Sequence, residues 1–446
     1  MIEPVRQLFE WLEPKYVANE LIKEEGDAGF IWLDGDGSNL GRWVTIAASP
    51  IDQVYCRGLP QEESISNPFE ILRNLDSGHW TGWLSYEAGA WIEPSNPWKL
   101  DSMATLWMAC HDPVLKFDLK KHELWIEGSQ YNKIQKVANW LKSIQRPRNN
   151  LNDKMIDKYI KIPINSWQWI TEEEIFKKNV DIIKKLISNG DIFQANLSTC
   201  CTTSIPASIR GIDIFSRLRK FCPAPFSAFV SGAGEAKGEA IISSSPERFL
   251  KIRPNGEVET RPIKGTRPRN SNPYEDANLA IDLVSSQKDR AENIMIVDLL
   301  RNDLGKVCEP GSIKVTQLVG LESFKRVHHL TSVIEGSLIP QKNWVDVFEA
   351  CWPGGSISGA PKIRACQRLN QLEPIARGPY CGSLLHLDWD GTLDSNILIR
   401  SLLLHDSSLR AHAGCGIVAD SDPIQETEEL KWKLIPLLKA LDNNGI

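Results

Sequence analysis

Apolar and polar positions divide the chain into two parts. From Met1 to about Arg146, short β-like runs (FIWL, RWVTIAAS, GWLSY, LWMAC, ELWIEG) alternate with turn residues, and a helical stretch from Tyr131 to Ile144 closes the part. Arg146 to Lys161 is polar and lacks periodicity, so residues 146–165 are a candidate linker between a β-rich region at 1–145 and a second region at 166–446. After Thr171, the stripe Phe176, Val180, Ile183 and Ile187 predicts a helix, with a Thr171–Glu174 capping box at its start and Gly190 at its end. DIFQANLS, FSAFVSG and AIISSSPERFLKI read as strands, the last followed by an Asn255-Gly256 turn. Tyr274 to Val307 is mainly helical. IKVTQLVG and VHHLTSVIEG are strands, PGGSISGAPK opens a helix at Pro361, and a β meander runs from Cys381 to Cys415 around Asp390-Gly391. A last helix starts near Pro423, with a kink expected at Pro436.

Composition narrows the function classes. The 446 residues are 42% hydrophobic and 24% charged with a formal net charge of -6, which fits a soluble globular protein and offers no basic footprint for nucleic acid. None of the ten cysteines stands in a C-x-x-C spacing, so a reduced, cytoplasmic protein without structural zinc is expected. The first twenty residues carry charge throughout, and the most apolar run, IMIVDLL, is broken by Asp298; neither a signal peptide nor a membrane span is expected. Tryptophans such as Trp80, Trp83, Trp91 and Trp98 read as packing residues.

Candidate chemistry concentrates in the second part. In ETRPIKGTRPR, Lys264 stands between two prolines and beside Gly265, on a strand end turning into a rigid loop; Arg261, Arg267 and Arg269 would disfavour its ammonium form. Asp289 and Glu292 are three apart, as are Glu426 and Glu429 with Lys433 one turn on, so two helices each present a carboxylate pair; together they suit a hard cation, singly a solvated face. PGGSISGAPK puts glycines before a helix but lacks Gly-Lys-Ser/Thr, because Ala360 and Pro361 separate Gly359 from Lys362. Gly414-Cys415-Gly416 is a second place for bare N–H groups, and of His328 and His329 only one can face a site.

From Glu172 to Leu441, the ordered segments SPERF, RPIKGTRPR, DRAENIMIVDLLRNDLG, VHHL, PGGSISGAPK and GCGIVADS resemble the chorismate-utilising enzymes. The resemblance implies an α+β fold of α/β/β/α layers with two large, mainly antiparallel sheets. It also implies an enzyme that adds ammonia or water to chorismate. Gln194 stands where water-adding members carry a lysine, which sets water aside, and Lys264 stands where anthranilate-forming members carry alanine and C4-aminating members a covalent lysine. By resemblance, Mg2+ is held by Glu292 and Glu429 with Asp289 and Glu426 supporting its waters. Glu247 is the acid for the C4 hydroxyl, Lys264 the nucleophile, and His329 an aid to proton transfer. Tyr380, Arg400, Gly265, Thr266, Gly414 and Gly416 are substrate ligands. Pro225, Phe226 and Ser227 match an element that forms a tryptophan pocket in the family. A separate glutamine amidotransferase subunit is the implied source of ammonia. Cys415 departs from the usual alanine or glycine and would narrow the carboxylate pocket; leucine and arginine both occur in relatives at Arg267. Anthranilate formation, and a non-catalytic sensor of tryptophan or chorismate, are the alternatives.

Overall fold

Helix Glu173–Ser188 buries Phe176, Val180 and Ile183 and ends at Gly190, whose φ of +74° is the left-handed conformation that glycine adopts freely. Its start differs from the expected capping box. Glu172 is the N-cap and donates no side-chain cap, while the Thr171 hydroxyl is buried without a partner. Packing of Thr171 has overridden its local preference.

The computed structural model describes residues 3–60, 62, 65–144 and 160–442; most of the candidate linker, 146–159, lies outside them. Among the described residues the strands form a twelve-stranded and a ten-stranded sheet, and every pairing is antiparallel. The larger sheet contains Phe226–Ser231, Glu239–Ser245, Ser401–His405, Ser408–Ile417 and Gln194–Ser204 side by side, and the smaller contains Ile263–Pro268, Val327–Ser337 and Ser383–Leu387. Strands from the first 130 residues complete both: Ile31–Asp34 pairs with Phe226–Ser231, and Trp80–Leu84 pairs with Ser383–Leu387. The predicted meander is therefore split, its first two strands in the smaller sheet and its last two in the larger. Strand alternation predicts a hairpin but not which sheet receives it.

Side chains of the larger sheet alternate between two cores. Trp32, Phe229, Ile242 and Leu402 pack against helices, whereas Ile31, Val230, Ile241 and Leu403 join the core shared with Trp83, Trp107 and Leu385 of the other sheet. This is the α/β/β/α layering, with both faces of the larger sheet buried. Trp80, Trp83 and Trp98 are core residues. The Tyr274–Val307 stretch is two helices, Pro273–Ser285 and Gln287–Leu304, because Ser286 breaks the run and caps the second by accepting from the Asp289 N–H. Helix Pro423–Leu441 contains Pro436 and packs beside Ser408–Ile417.

Candidate active site

Lys264 lies on a strand, as expected, but the strand runs on to Pro268 where a rigid loop was expected. Ile263–Pro268 pairs with Val327–Ser337, and the register shifts between Lys264 and Thr266. Gly265, at φ +83°, absorbs that bulge; a Cβ there would meet Leu283 and Asp289. The bulge delivers Lys264 into a cavity of about 710 Å³ between the ends of the two sheets.

Most residues singled out in the sequence line this cavity: Glu247, Lys264, Gly265, Thr266 and His329 from the smaller sheet and its approaches, Asp289 and Glu292 from helix Gln287–Leu304, and Tyr380, Arg400, Gly414, Gly416 and Glu429 opposite. Glu426 is not among them. It is 2% exposed behind the wall, accepting from Lys288 at 3.0 Å and Ser421 at 2.7 Å. Pro225, Phe226 and Ser227 lie elsewhere, at the start of a larger-sheet strand, with Phe226 under the Arg248 guanidinium. Cys415 points away from the cavity into the helix-side core, its thiol donating to the Glu426 carbonyl, so it does not narrow the carboxylate pocket.

The surroundings of Lys264 also differ from expectation. Arg261, Arg267 and Arg269 each have a carboxylate of their own, in Glu322, Asp282 and Asp276, so their charges do not converge on the lysine. Its nearest charge is Glu292 at 2.7 Å, and Nζ also donates to the Ser356 carbonyl at 3.1 Å. Gln194 donates to the same Glu292 oxygen at 2.6 Å. Ser356 lies inside the PGGSISGAPK segment, but nothing in that pattern marks its carbonyl as a partner of Lys264, and Lys288 stands just before the DRAENIM segment without a pattern of its own.

Two groups beside the lysine are shifted toward their neutral forms. Burial pushes the Glu247 carboxyl up to about 7, against the opposing pull of a Ser356 hydrogen bond and the Lys264 charge. Burial and the Arg400 charge push the His329 imidazole down to about 3, and its Nδ1 shares a 2.8 Å hydrogen bond with Thr266. His328 faces the other way, toward Asp276 and Ser323. Arg400 adopts φ +51°, a strained conformation for a side-chain-bearing residue, and has no carboxylate partner among the described residues. An unpaired guanidinium in a cavity is a receptor for an anion.

On the opposite wall, carboxylates and ammoniums alternate. Lys433 pairs with Glu429 at 2.7 Å and donates to the Gly414 carbonyl at 2.8 Å; burial raises the Glu429 carboxyl, but Lys433, Lys288 and Lys264 outweigh it and keep the group below its ordinary range. Glu426 and Glu429 bring oxygens within 4.8 Å of each other and of the Cys415 sulfur. The thiol, pushed up to about 12 by burial, stays protonated, so the usable donors are hard carboxylate oxygens, the set that suits magnesium. Gly416 leaves room for this arrangement, since a Cβ there would collide with Glu292 Oε1 and stand 2.6 Å from Gln194 Nε2.

Residues 37–439 match the model of the chorismate binding enzyme family. The chain belongs to the chorismate binding enzymes. Among relatives in this family it is 35% identical to an anthranilate synthase component I-like protein of Synechocystis, over 82% of this chain and 73% of that one. It is 41% identical to aminodeoxychorismate synthase component 1 of Klebsiella aerogenes over 63% of this chain, an alignment that spans 60% of the relative's length. The structure resembles anthranilate synthase component I of Streptococcus pneumoniae with a TM-score of 0.74 at 28% identity, covering 89% of this chain and 92% of that one. The α+β fold with two antiparallel sheets is that of the family, and among the described residues no helix is long and apolar enough to cross a membrane.

Proposed function

We propose that this protein is component I of an aminodeoxychorismate synthase, converting chorismate and ammonia to 4-amino-4-deoxychorismate through a covalent bond to Lys264. The observation that carries the reading is that Lys264 shares one cavity with Glu247, a buried carboxyl pushed up to about 7. Lys264, as the free amine, attacks C2 of the ring; the double bonds shift and the C4 hydroxyl departs as water with the proton of Glu247. Ammonia then attacks C4, the double bonds shift back, and the C2 bond to Lys264 breaks with return of a proton to the amine. Arg400 and Tyr380 receive the enolpyruvyl carboxylate, and Gly265, Thr266, Gly414 and Gly416 line the ring's approach. His329, neutral, offers its ring nitrogens for proton transfer near the ring.

Glu292 and Glu429 would hold a magnesium ion, with Asp289 and Glu426 supporting its waters, and when bound it supplies the Lewis acidity that neutralises the ring carboxylate. Ammonia is mostly ammonium at neutral pH, so a glutamine amidotransferase subunit is the proposed partner, in keeping with the "component 1" name of the Klebsiella relative. The tryptophan pocket at Pro225, Phe226 and Ser227 is part of the same proposal.

Mass analysis of the product formed from chorismate, magnesium and an ammonium salt tests the reading. Without ammonia, an adduct is expected on the peptide containing Lys264; Lys264→Ala should form none and should shift product toward the 2-amino isomer or anthranilate. The similarity to anthranilate synthase component I proteins favours one second reading, anthranilate formation. Release of pyruvate without an added lyase, and no adduct in single turnover, would establish that reading instead.

A further inference from the structure

Each of the four carboxylates assigned to magnesium already faces a cation of the chain. Glu292 has Lys264 at 2.7 Å, Glu429 has Lys433 at 2.7 Å, Glu426 has Lys288 at 3.0 Å and Asp289 has Arg267 at 3.5 Å. Acidic groups gathered about one cavity repel one another, and the pairing offsets that repulsion. It also means that a divalent ion gains these oxygens only where a resident cation lets one go.

The four cations are not equally free to yield. Lys264 also donates to the Ser356 carbonyl, Lys433 to the Gly414 carbonyl, and Arg267 to Asp282 and the Thr266 carbonyl. Lys288 has a single acceptor among the described residues, Glu426, and its side chain is 51% exposed where that of Glu426 is 2% exposed. Its place in the chain does not suit the helix. Lys288 stands in the first turn of Gln287–Leu304, at the positive end of the helix dipole, where an ammonium is repelled. The facing carboxylates hold it there: burial works against its charge, but Glu426, Glu429 and Glu292 outweigh burial. Three carboxylates acting on one ammonium mark a spot where a cation is wanted, and Lys288 reaches it on a flexible four-carbon stem. Glu426 in turn needs a partner. Its other contact is the Ser421 hydroxyl at 2.7 Å, and a buried carboxylate stripped of its cation is costly.

We infer that Lys288 is the resident counter-ion of the magnesium site: it holds Glu426 while the site is empty, gives that carboxylate up to the waters of a bound ion, and thereby sets how tightly the metal binds. The inference rests on the assignment of these carboxylates to magnesium. Because Lys288 also lines the substrate cavity, an anionic substrate is at hand to receive the displaced ammonium.

The test reads metal binding and not turnover. Mn2+ is titrated into the protein without chorismate at about pH 8, where carboxylates are ionised; free Mn2+ is counted by electron paramagnetic resonance, and Mg2+ is added as competitor. Lys288→Met keeps the stem and removes the charge, and the Kd for Mg2+ should fall about tenfold. In a Glu426→Gln background the same substitution should change Kd by less than about twofold, because the contact through which Lys288 acts is already gone. Should Glu426→Gln not fold, Lys431→Met supplies the comparison. It removes a lysine of the same cavity that is held by Glu173 and Glu428 instead, and Kd should stay within about twofold of wild type. An unchanged Kd in Lys288→Met, or an equal fall in both backgrounds or in Lys431→Met, overturns the counter-ion role and leaves the metal assignment standing. Wild-type protein that binds neither Mn2+ nor Mg2+ overturns the metal assignment and the inference with it.

Discussion

The two walls of the substrate cavity use the same residue type in opposite ways. On the Lys264 wall, Glu247 is buried with too little positive charge to offset its desolvation, and its carboxyl rises to about 7. On the wall formed by helix Pro423–Leu441, Glu429 stands beside three lysines, which overcome the effect of burial and keep it ionised. One glutamate is shifted toward its protonated form and the other toward its ionised form: Glu247 is buried with its lysines acting only at a distance, whereas Glu429 is more exposed and pairs directly with Lys433. Glu292 stands between them, hydrogen-bonded to both Lys264 and Gln194.

The largest effect should come from removing the carboxylates proposed to hold magnesium. Glu292→Ala or Glu429→Ala is expected to bring turnover below detection, a loss of several kcal/mol of transition-state stabilisation, with the fold retained by circular dichroism. Near-normal turnover in limiting magnesium would remove the metal assignment.

Glu247→Gln separates the acid from a mere ligand. Turnover should fall by about 10² to 10⁴-fold while chorismate still binds, because the amide keeps the shape but cannot act as the acid. If binding is lost and the remaining turnover is normal, Glu247 holds substrate and does not protonate it.

Gly416→Ala probes the junction of the walls. The added methyl displaces Glu292 and Gln194, and a shift of about 1 Å should cost roughly a hundredfold in activity with little change in melting temperature. Wild-type kinetics in this variant would mean that Glu292 needs no fixed position.

The smallest effect is on stability. Between pH 4.5 and about 7 the folded protein retains a proton on Glu247 that the unfolded chain has released, so this contribution is complete below that window and lost as pH rises through it. Glu247→Gln has no such proton to lose. Denaturant titrations should show the variant gaining on wild type as pH goes from 5 to 8, by roughly 3 kcal/mol as an upper bound. A constant difference across that range would contradict the raised carboxyl.

Much of the site is written locally in the sequence. Spacing puts Asp289 and Glu292 on one helix face, and alternation sends His329 and His328 to opposite sides of one strand. Other features are set by packing at a distance. Whether the arginines near Lys264 act on it depends on Asp276 and Asp282 in the following helix and on Glu322 in a later strand, pairings that no local pattern marks. Thr171 has the sequence of a cap and the environment of a buried residue. The allocation of the Cys381–Cys415 strands to two sheets, and the pairing of Trp80–Leu84 with Ser383–Leu387, follow from register between remote segments, which no local pattern encodes.

That remote pairing sets a schedule for synthesis. Trp80 has Leu387 as its partner, 307 positions later, and the aromatic strand around it cannot be covered on that side until the ribosome has made nearly the whole chain. At about 5 to 20 residues per second the wait is roughly 15 to 60 s, during which Trp80, Trp83 and their neighbours present an unpaired, strongly apolar edge. A nascent chain with such an edge gains from anything that shields hydrophobic strands as they emerge, and its yield in a cell should respond to translation speed and chaperone supply more steeply than the stability of the finished fold would suggest.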